Sequence, residues 1–145
     1  MARAMRIDKL SLAGLRATLE LYLPPHDPFA EIPVLRMLGQ PLAALSDRTA
    51  GFVDELKART TLEITTRKSS SFAGGGTLPM RKIPSIAVVL RHSDMPADQL
   101  AQRLRMGTPA VVARIKDDAV VIDLRTVQPS ETAALIEAIV EAAPA

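Results

Sequence analysis

The sequence predicts an α+β fold in which N-terminal helices precede a small, largely antiparallel sheet that carries helices on one face. Apolar residues recur every three or four positions through most of residues 1–59, and from residue 60 they alternate with polar residues in short runs. The chain has 145 residues, of which 48% are hydrophobic, enough for one ordinary core. We therefore expect a single domain, 1–145, with a helical part (1–59) and an α+β part (60–145).

The composition excludes several classes of protein. Aromatic residues make up 3% of the chain and tryptophan is absent, which argues against a base-stacking RNA binder. The lack of cysteine removes disulfides, thiolate catalysis and Cys-ligated zinc. No apolar run reaches membrane-spanning length, so we expect a soluble, cytoplasmic protein with no membrane partner. The net charge of +2 is spread along the chain and points to no acidic partner.

Three helices are predicted in the first part. The first carries one apolar stripe that stops before Pro24, and its members are Leu12, Leu15, Leu19, Tyr22 and Leu23. A short helix covers residues 34–38 and ends near Gly39. The third begins after Pro41 and runs to about Lys57, with the polar Thr49 on an otherwise apolar stripe.

The second part alternates strands and helices. Leu62 and Ile64 alternate with polar residues, and residues 86–90 form an apolar run that reads as a buried strand. Residues 111–115 and 120–124 also alternate, and Asp117 and Asp118 join them as a hairpin. Two helices complete the fold, one after Pro96 and a final one that begins at residues 129–131.

A triple-glycine loop lies between the first two strands. Gly74, Gly75 and Gly76 precede Thr77, and ordering three glycines is entropically costly, so another group could approach closely there. The segment lacks both the Gly-Lys-Ser/Thr ending of a P-loop and the spacing of a dinucleotide loop. The residues alone leave two interpretations open: a flexible connector or a loop that faces a substrate.

Arginines are the main candidates for chemistry. Arg3 and Arg6 would share one face of a helix, while Arg91 and Arg125 each follow a strand. Guanidinium groups hold carboxylates or phosphates but do not act as bases, so such a site needs an additional reactive group. The alternatives are a frayed basic terminus for the first pair and, for Arg125, an ion pair with Asp123 or another acidic group. The histidines are expected to be an exposed residue and a structural one, His26 and His92 respectively.

Four segments in order resemble the C-terminal part of bacterial selenocysteine synthases. The segments are residues 3–10 (RAMRIDKL), 31–38 (EIPVLRML), 74–79 (GGGTLP) and 122–127 (IDLRTV). In the third segment the family usually has serine and a glycine after the proline, where this chain has Thr77 and Met80. The resemblance covers almost the whole chain and implies the C-terminal small domain of a fold-type-I pyridoxal-phosphate enzyme.

The resemblance implies a function for the intact protein. Such enzymes convert seryl-tRNA(Sec) to selenocysteinyl-tRNA(Sec) with selenophosphate as selenium donor, use pyridoxal phosphate and form homo-oligomers. The family's Schiff-base lysine would lie upstream of Met1, so the fragment should be inactive alone, without a catalytic residue and without bound cofactor. The substrate-binding positions implied by the resemblance are Arg3, Arg6, Gly74, Gly75, Gly76, Thr77 and Arg125.

Two other functions remain open at this point. The first is a noncatalytic module that binds tRNA or docks subunits, which an open sheet face would suit. The second is a related pyridoxal-phosphate lyase that acts on a small phosphorylated substrate, since arginines can hold either kind of phosphate.

Overall fold

The computed structural model describes residues 7–73 and 82–143. Contacts between residues divide the chain into two compact units, 1–39 and 40–145. The described residues of the first unit form three helices, and the second unit contains the sheet and the remaining described helices. Among the described residues, no helix combines the length and apolar character needed to cross a bilayer.

The first unit contains α1 (Lys9–Glu20), α2 (Pro28–Glu31) and α3 (Pro33–Gly39). Asp8 caps α1, because its carboxylate accepts hydrogen bonds from the backbone N–H groups of Leu10 and Ser11. The hydroxyl of Ser11 also donates to Asp8 and lowers the pKa of its carboxyl group. The sequence did not predict α2, a single turn after Asp27. The apolar stripe of α1 is present, yet α1 has no buried residue.

The second unit begins with α4 (Leu42–Arg59), whose apolar stripe is buried as predicted. Thr49, its polar member, is only 2% exposed. The Thr49 hydroxyl donates a 2.7 Å hydrogen bond to the carbonyl oxygen of Leu45, one turn earlier. That bond satisfies the hydroxyl inside the core and allows threonine to occupy an apolar position.

The sheet has four strands that all pair antiparallel, in the order β1-β2-β4-β3. The strands are β1 (Glu63–Phe72), β2 (Lys82–Arg91), β3 (Arg114–Lys116) and β4 (Ala119–Asp123). β1 is longer than the sequence indicates, because backbone pairing with β2 continues from Glu63 opposite Arg91 to Phe72 opposite Lys82. β3 is shorter, since the N–H of Val111 donates to the carbonyl of Leu104 at 2.8 Å instead of joining the sheet.

The turn between β3 and β4 confirms the predicted hairpin. Asp117 and Asp118 both have positive φ, 55° and 51° respectively. Two consecutive left-handed residues are typical of the tight turn whose twist matches that of paired strands, and aspartate tolerates this conformation better than most residues.

Helices cover one face of the sheet, as predicted. The core joins α4 to α5 (Ala97–Met106) and α6 (Thr132–Ala142) over the inner strands. Val88 and Leu90 of β2 and Val120 and Ile122 of β4 point into this core. Two short 3-10 turns, Leu124–Thr126 and Pro129–Glu131, lead from β4 to α6. The α+β class is confirmed.

Candidate substrate-binding site

Of the predicted site residues, the structure describes one. Arg3, Arg6, Gly74, Gly75, Gly76 and Thr77 lie outside the described residues, and their proposed contacts stay predictions. Arg125 is described, and it lies in the 3-10 turn directly after β4. The structure therefore bears on the flanks of the glycine segment and on the surroundings of Arg125.

The glycine segment connects two adjacent strands. Residues 73–81 link β1 to β2, and the pairing of these strands reaches Phe72 and Lys82, the last and first residues of the two strands. Ser71 lies opposite Ile83 in this register. Both flanks of the predicted loop are thus held side by side at the same end of the sheet.

The buried carboxylate of Asp123 ties that end of the sheet together. One oxygen accepts a hydrogen bond from the Ser71 hydroxyl at 2.8 Å, and the other accepts from the Ser85 hydroxyl at 2.8 Å and the backbone N–H of Arg125 at 3.0 Å. Asp123 is 8% exposed, and charge-assisted bonds are the usual way to satisfy a carboxylate away from water. One side chain therefore links β1, β2 and the turn after β4.

Arg125 stands two residues after Asp123 in the sequence, and it is also buried, at 4% exposure. One terminal nitrogen donates to the carbonyl of Gln40 at 2.9 Å, and the other donates to the carbonyl of Pro84 at 2.8 Å. These bonds attach the segment before α4 and the start of β2 to the end of β4. The sequence leaves two roles open for Arg125, a substrate contact and an ion pair. The observed hydrogen bonds give it a third role, which is to hold backbone segments together.

A second arginine, Arg48 of α4, makes a similar network that the sequence analysis missed. Its guanidinium donates at 2.8 to 3.2 Å to three carbonyls and one hydroxyl, those of Leu124, Val127, Gln128 and Thr132. Burial lowers the pKa of Arg48, although nearby Glu131 opposes this effect. The helical period of the sequence could have identified Arg48. This residue stands three residues after Leu45 and four before Phe52, so it lies close to the buried stripe of α4.

The two histidines make local contacts. Nδ1 of His26 lies 3.0 Å from a carboxylate oxygen of Glu31, and Nδ1 of His92 accepts a 3.1 Å hydrogen bond from the N–H of Asp94. Across residues 7–73 and 82–143, no three histidine or acidic side chains are grouped closely enough to hold a metal ion. The described histidines thus take part in loop structure.

A sequence profile of the family described as L-seryl-tRNA selenium transferase matches residues 1–128, which include β1 to β4. The chain belongs to this family.

Individual members of the family are similar over nearly the whole chain. The L-seryl-tRNA(Sec) selenium transferase of Hyphomonas neptunium is 39% identical over 138 residues, which is 95% of this chain and 30% of that protein. The corresponding proteins of Aquifex aeolicus and Alkaliphilus metalliredigens are 40% identical over 126 residues and 34% identical over 140 residues. They share 87% and 96% of this chain, and 27% and 30% of their own lengths. The chain therefore spans less than a third of the relatives it matches.

Pyridoxal phosphate, the cofactor expected for the family, requires a lysine amine in an enclosed site. All five lysines of this chain are exposed, namely Lys9, Lys57, Lys68, Lys82 and Lys116. An exposed ammonium is fully hydrated and lacks the desolvation that makes a lysine a good nucleophile near neutral pH. The lysines present therefore do not fit the attachment of this cofactor.

Proposed function

We propose that this chain is the C-terminal part of a cytoplasmic, pyridoxal-phosphate-dependent selenium transferase that converts seryl-tRNA(Sec) to selenocysteinyl-tRNA(Sec) with selenophosphate as donor. The observation that carries the proposal is the family match across residues 1–128. The names of the relatives support the same reaction for the intact protein, because each is an L-seryl-tRNA(Sec) selenium transferase. In this proposal the cofactor is held by a part of the intact protein outside this sequence.

The chain's own residues have binding and supporting roles in this proposal. Arg3 and Arg6 hold the anionic selenium donor, and the segment 74–77 faces the substrate. Arg125 and Asp123 hold the strand ends beside that segment, which the buried hydrogen bonds to Pro84 and Ser71 support. A rigid base under a substrate-facing segment favours catalysis, because a small displacement of a binding group is costly in rate.

A selenium-transfer assay tests the proposal. The intact protein, supplied with pyridoxal phosphate, radiolabelled seryl-tRNA(Sec) and selenophosphate, should form selenocysteinyl-tRNA(Sec), and the 145-residue chain alone should form none. Replacing Arg3 and Arg6 by alanine in the intact protein should reduce selenium transfer by at least about a hundredfold. Unchanged transfer by that double variant would remove the proposed donor-binding role.

Cofactor trapping gives an independent check on the 145-residue chain. Borohydride reduction in the presence of pyridoxal phosphate should label its exposed lysines weakly and without preference, since none is enclosed. Stoichiometric labelling of one lysine, found by peptide mass analysis, would contradict the assignment of the cofactor site to another part of the protein.

One structural feature favours a second function for the chain, as a docking module. Leu12, Leu15 and Leu19 of α1 are each more than half exposed and line an apolar groove with Tyr22 and Leu23. Exposed apolar surface of this kind is typical of contacts with another protein surface. In the intact enzyme we propose that this stripe takes part in subunit or domain contacts of the homo-oligomer. Transfer activity that persists after deletion of residues 1–145 would favour docking over a catalytic contribution.

A further inference from the structure

The face of the sheet opposite α4, α5 and α6 carries one basic residue of β1 and two of β3. Residues paired across antiparallel strands lie on the same face, and Arg67 of β1 is paired with Ala87 of β2. Val121 of β4 is paired with Arg114 of β3, and Lys116 stands two residues further along β3. Because the alternate residues of β2 and β4 enter the core, these side chains share the face opposite α4, α5 and α6.

A groove of about 370 Å³ runs over this face. Ala87 and Val121 lie at its floor on the two inner strands. Its sides carry three cationic side chains, Arg67 from β1 and Arg114 and Lys116 from β3. Lys68 also borders the groove, but it alternates with Arg67 and is paired with Ile86, so its side chain lies on the other face of the sheet. We refer to this feature as the basic groove. Small side chains between two basic edges leave room for a compact anion.

The positive charge of the basic groove is only partly neutralised. Arg67 pairs with the carboxylate of Asp117 at 3.1 Å, and its side chain is 38% exposed. Among residues 7–73 and 82–143, no carboxylate lies within ion-pair distance of Arg114 or Lys116. Both side chains are exposed, so they can turn toward a ligand at little cost. An excess of cations over carboxylates raises the local concentration of anions.

A hydroxyl group adds a neutral hydrogen-bonding atom to the groove. Oγ of Ser69 is buried and has no hydrogen-bond partner among the described residues. Ser69 lines the groove two residues after Arg67, on the same face of β1. A buried hydroxyl that lacks a partner is unfavourable, so a ligand oxygen that accepts its hydrogen would be stabilised.

We propose that the basic groove binds a phosphate group. A phosphate has several oxygens that accept hydrogen bonds from guanidinium, ammonium and hydroxyl donors arriving from different directions. The floor carries no aromatic side chain on which a base could stack, so recognition is of the phosphate and not of the base. The phosphate is either free in solution or part of an RNA backbone. The inference depends on the groove alone and holds whether or not the chain serves selenium transfer.

The first experiment titrates the 145-residue chain with inorganic phosphate at constant ionic strength, with chloride as the balancing anion. Backbone amide signals are followed by ¹H-¹⁵N NMR spectroscopy. We expect saturable shifts confined to residues 67–70 and 114–116. The double variant Arg114→Gln/Lys116→Gln should weaken phosphate binding at least about tenfold, because it removes two charge-assisted contacts.

A matched variant separates local binding from net charge. Lys57 and Arg105 are exposed residues of α4 and α5, and the double variant Lys57→Gln/Arg105→Gln loses the same charge elsewhere. This variant should keep the phosphate affinity within about twofold. Equal loss in the two double variants, or shifts scattered over the whole chain, would overturn the proposal. Ser69→Ala, which removes the buried hydroxyl, should weaken binding without changing its dependence on salt.

A second arm identifies the source of the phosphate. The probe is a fluorescein-labelled RNA hairpin, measured by fluorescence anisotropy over a range of salt concentrations. If the groove holds RNA phosphates, Arg114→Gln/Lys116→Gln should lower the slope of log K against log salt by about 1.5, since each contact contributes about 0.7–0.9. If the chain binds inorganic phosphate, but the salt dependence of RNA binding is the same for Arg114→Gln/Lys116→Gln and for the control variant, the groove is assigned to free phosphate. Absence of binding to both probes would overturn the proposal.

Discussion

Replacement of Asp123 by alanine gives the sharpest test of how the end of the sheet is held. The carboxylate accepts three hydrogen bonds at 2.8 to 3.0 Å, and alanine leaves Ser71, Ser85 and the N–H of Arg125 without this acceptor. A hydrogen bond to a charged group contributes about 1.5–3 kcal/mol. We take the lower end of this range for each of the three bonds, because the partly exposed Ser71 can turn to water. Asp123→Ala should then lower the free energy of unfolding by about 4.5 kcal/mol.

Urea denaturation followed by circular dichroism at 222 nm measures this change. With a denaturant dependence of about 2 kcal/mol per molar urea, the midpoint should fall by about 2 M. Asp54→Ala is the matched control, because Asp54 is an exposed residue of α4 and its removal should change stability by less than about 0.5 kcal/mol. A midpoint for Asp123→Ala within about 0.5 M of that control would refute the view that Asp123 holds the strand ends.

Three further predictions concern other contacts. Arg48→Met should destabilise the chain by about 3 kcal/mol in the same urea assay, because three carbonyls and a hydroxyl lose their donor; a loss below about 1 kcal/mol would contradict the network. Arg59 donates two hydrogen bonds to Glu137 and lowers its pKa, so the stability from this pair should be present at neutral pH and lost as the carboxylate protonates in acid. Glu137→Gln should therefore flatten the fall of Tm between about pH 5 and about pH 3, and an unchanged profile would refute the coupling. Asp118→Gly should raise the free energy of unfolding by about 0.5 kcal/mol, because glycine adopts the positive φ of 51° without steric cost, and a decrease would contradict the turn geometry.

The sequence predicted what local periodicity determines. The stripe of α4 and the turn at Asp117 and Asp118 are short-range patterns, and the structure confirms both. The extension of β1 through Ser69–Phe72 was not predictable in this way, because a run of serines has no apolar alternation. That segment is a strand since its backbone groups pair with β2, a contact between distant positions of the chain.

The candidate site shows the same limit. The sequence identified Arg125 as an anion-binding candidate, but its observed partners are carbonyls 85 and 41 residues away, at Gln40 and Pro84. No local pattern reveals such long-range contacts. The stripe of α1 is a second example. Periodicity identified its apolar residues but did not indicate what they contact. The resemblance to the family supplied the remaining site residues, whose roles stay predictions.

The position of β1 at the edge of the sheet has a consequence for handling the protein. No other strand of the described residues pairs with the outer side of this ten-residue strand, so its backbone groups could pair with the same strand of a second molecule. Charged residues interrupt it at Glu63, Arg67 and Lys68, and like charges repel when two copies align side by side. Substitutions that neutralise these positions would convert the strand into a template for aggregation, so concentrated samples of such variants should form ordered fibrils more readily than the parent chain.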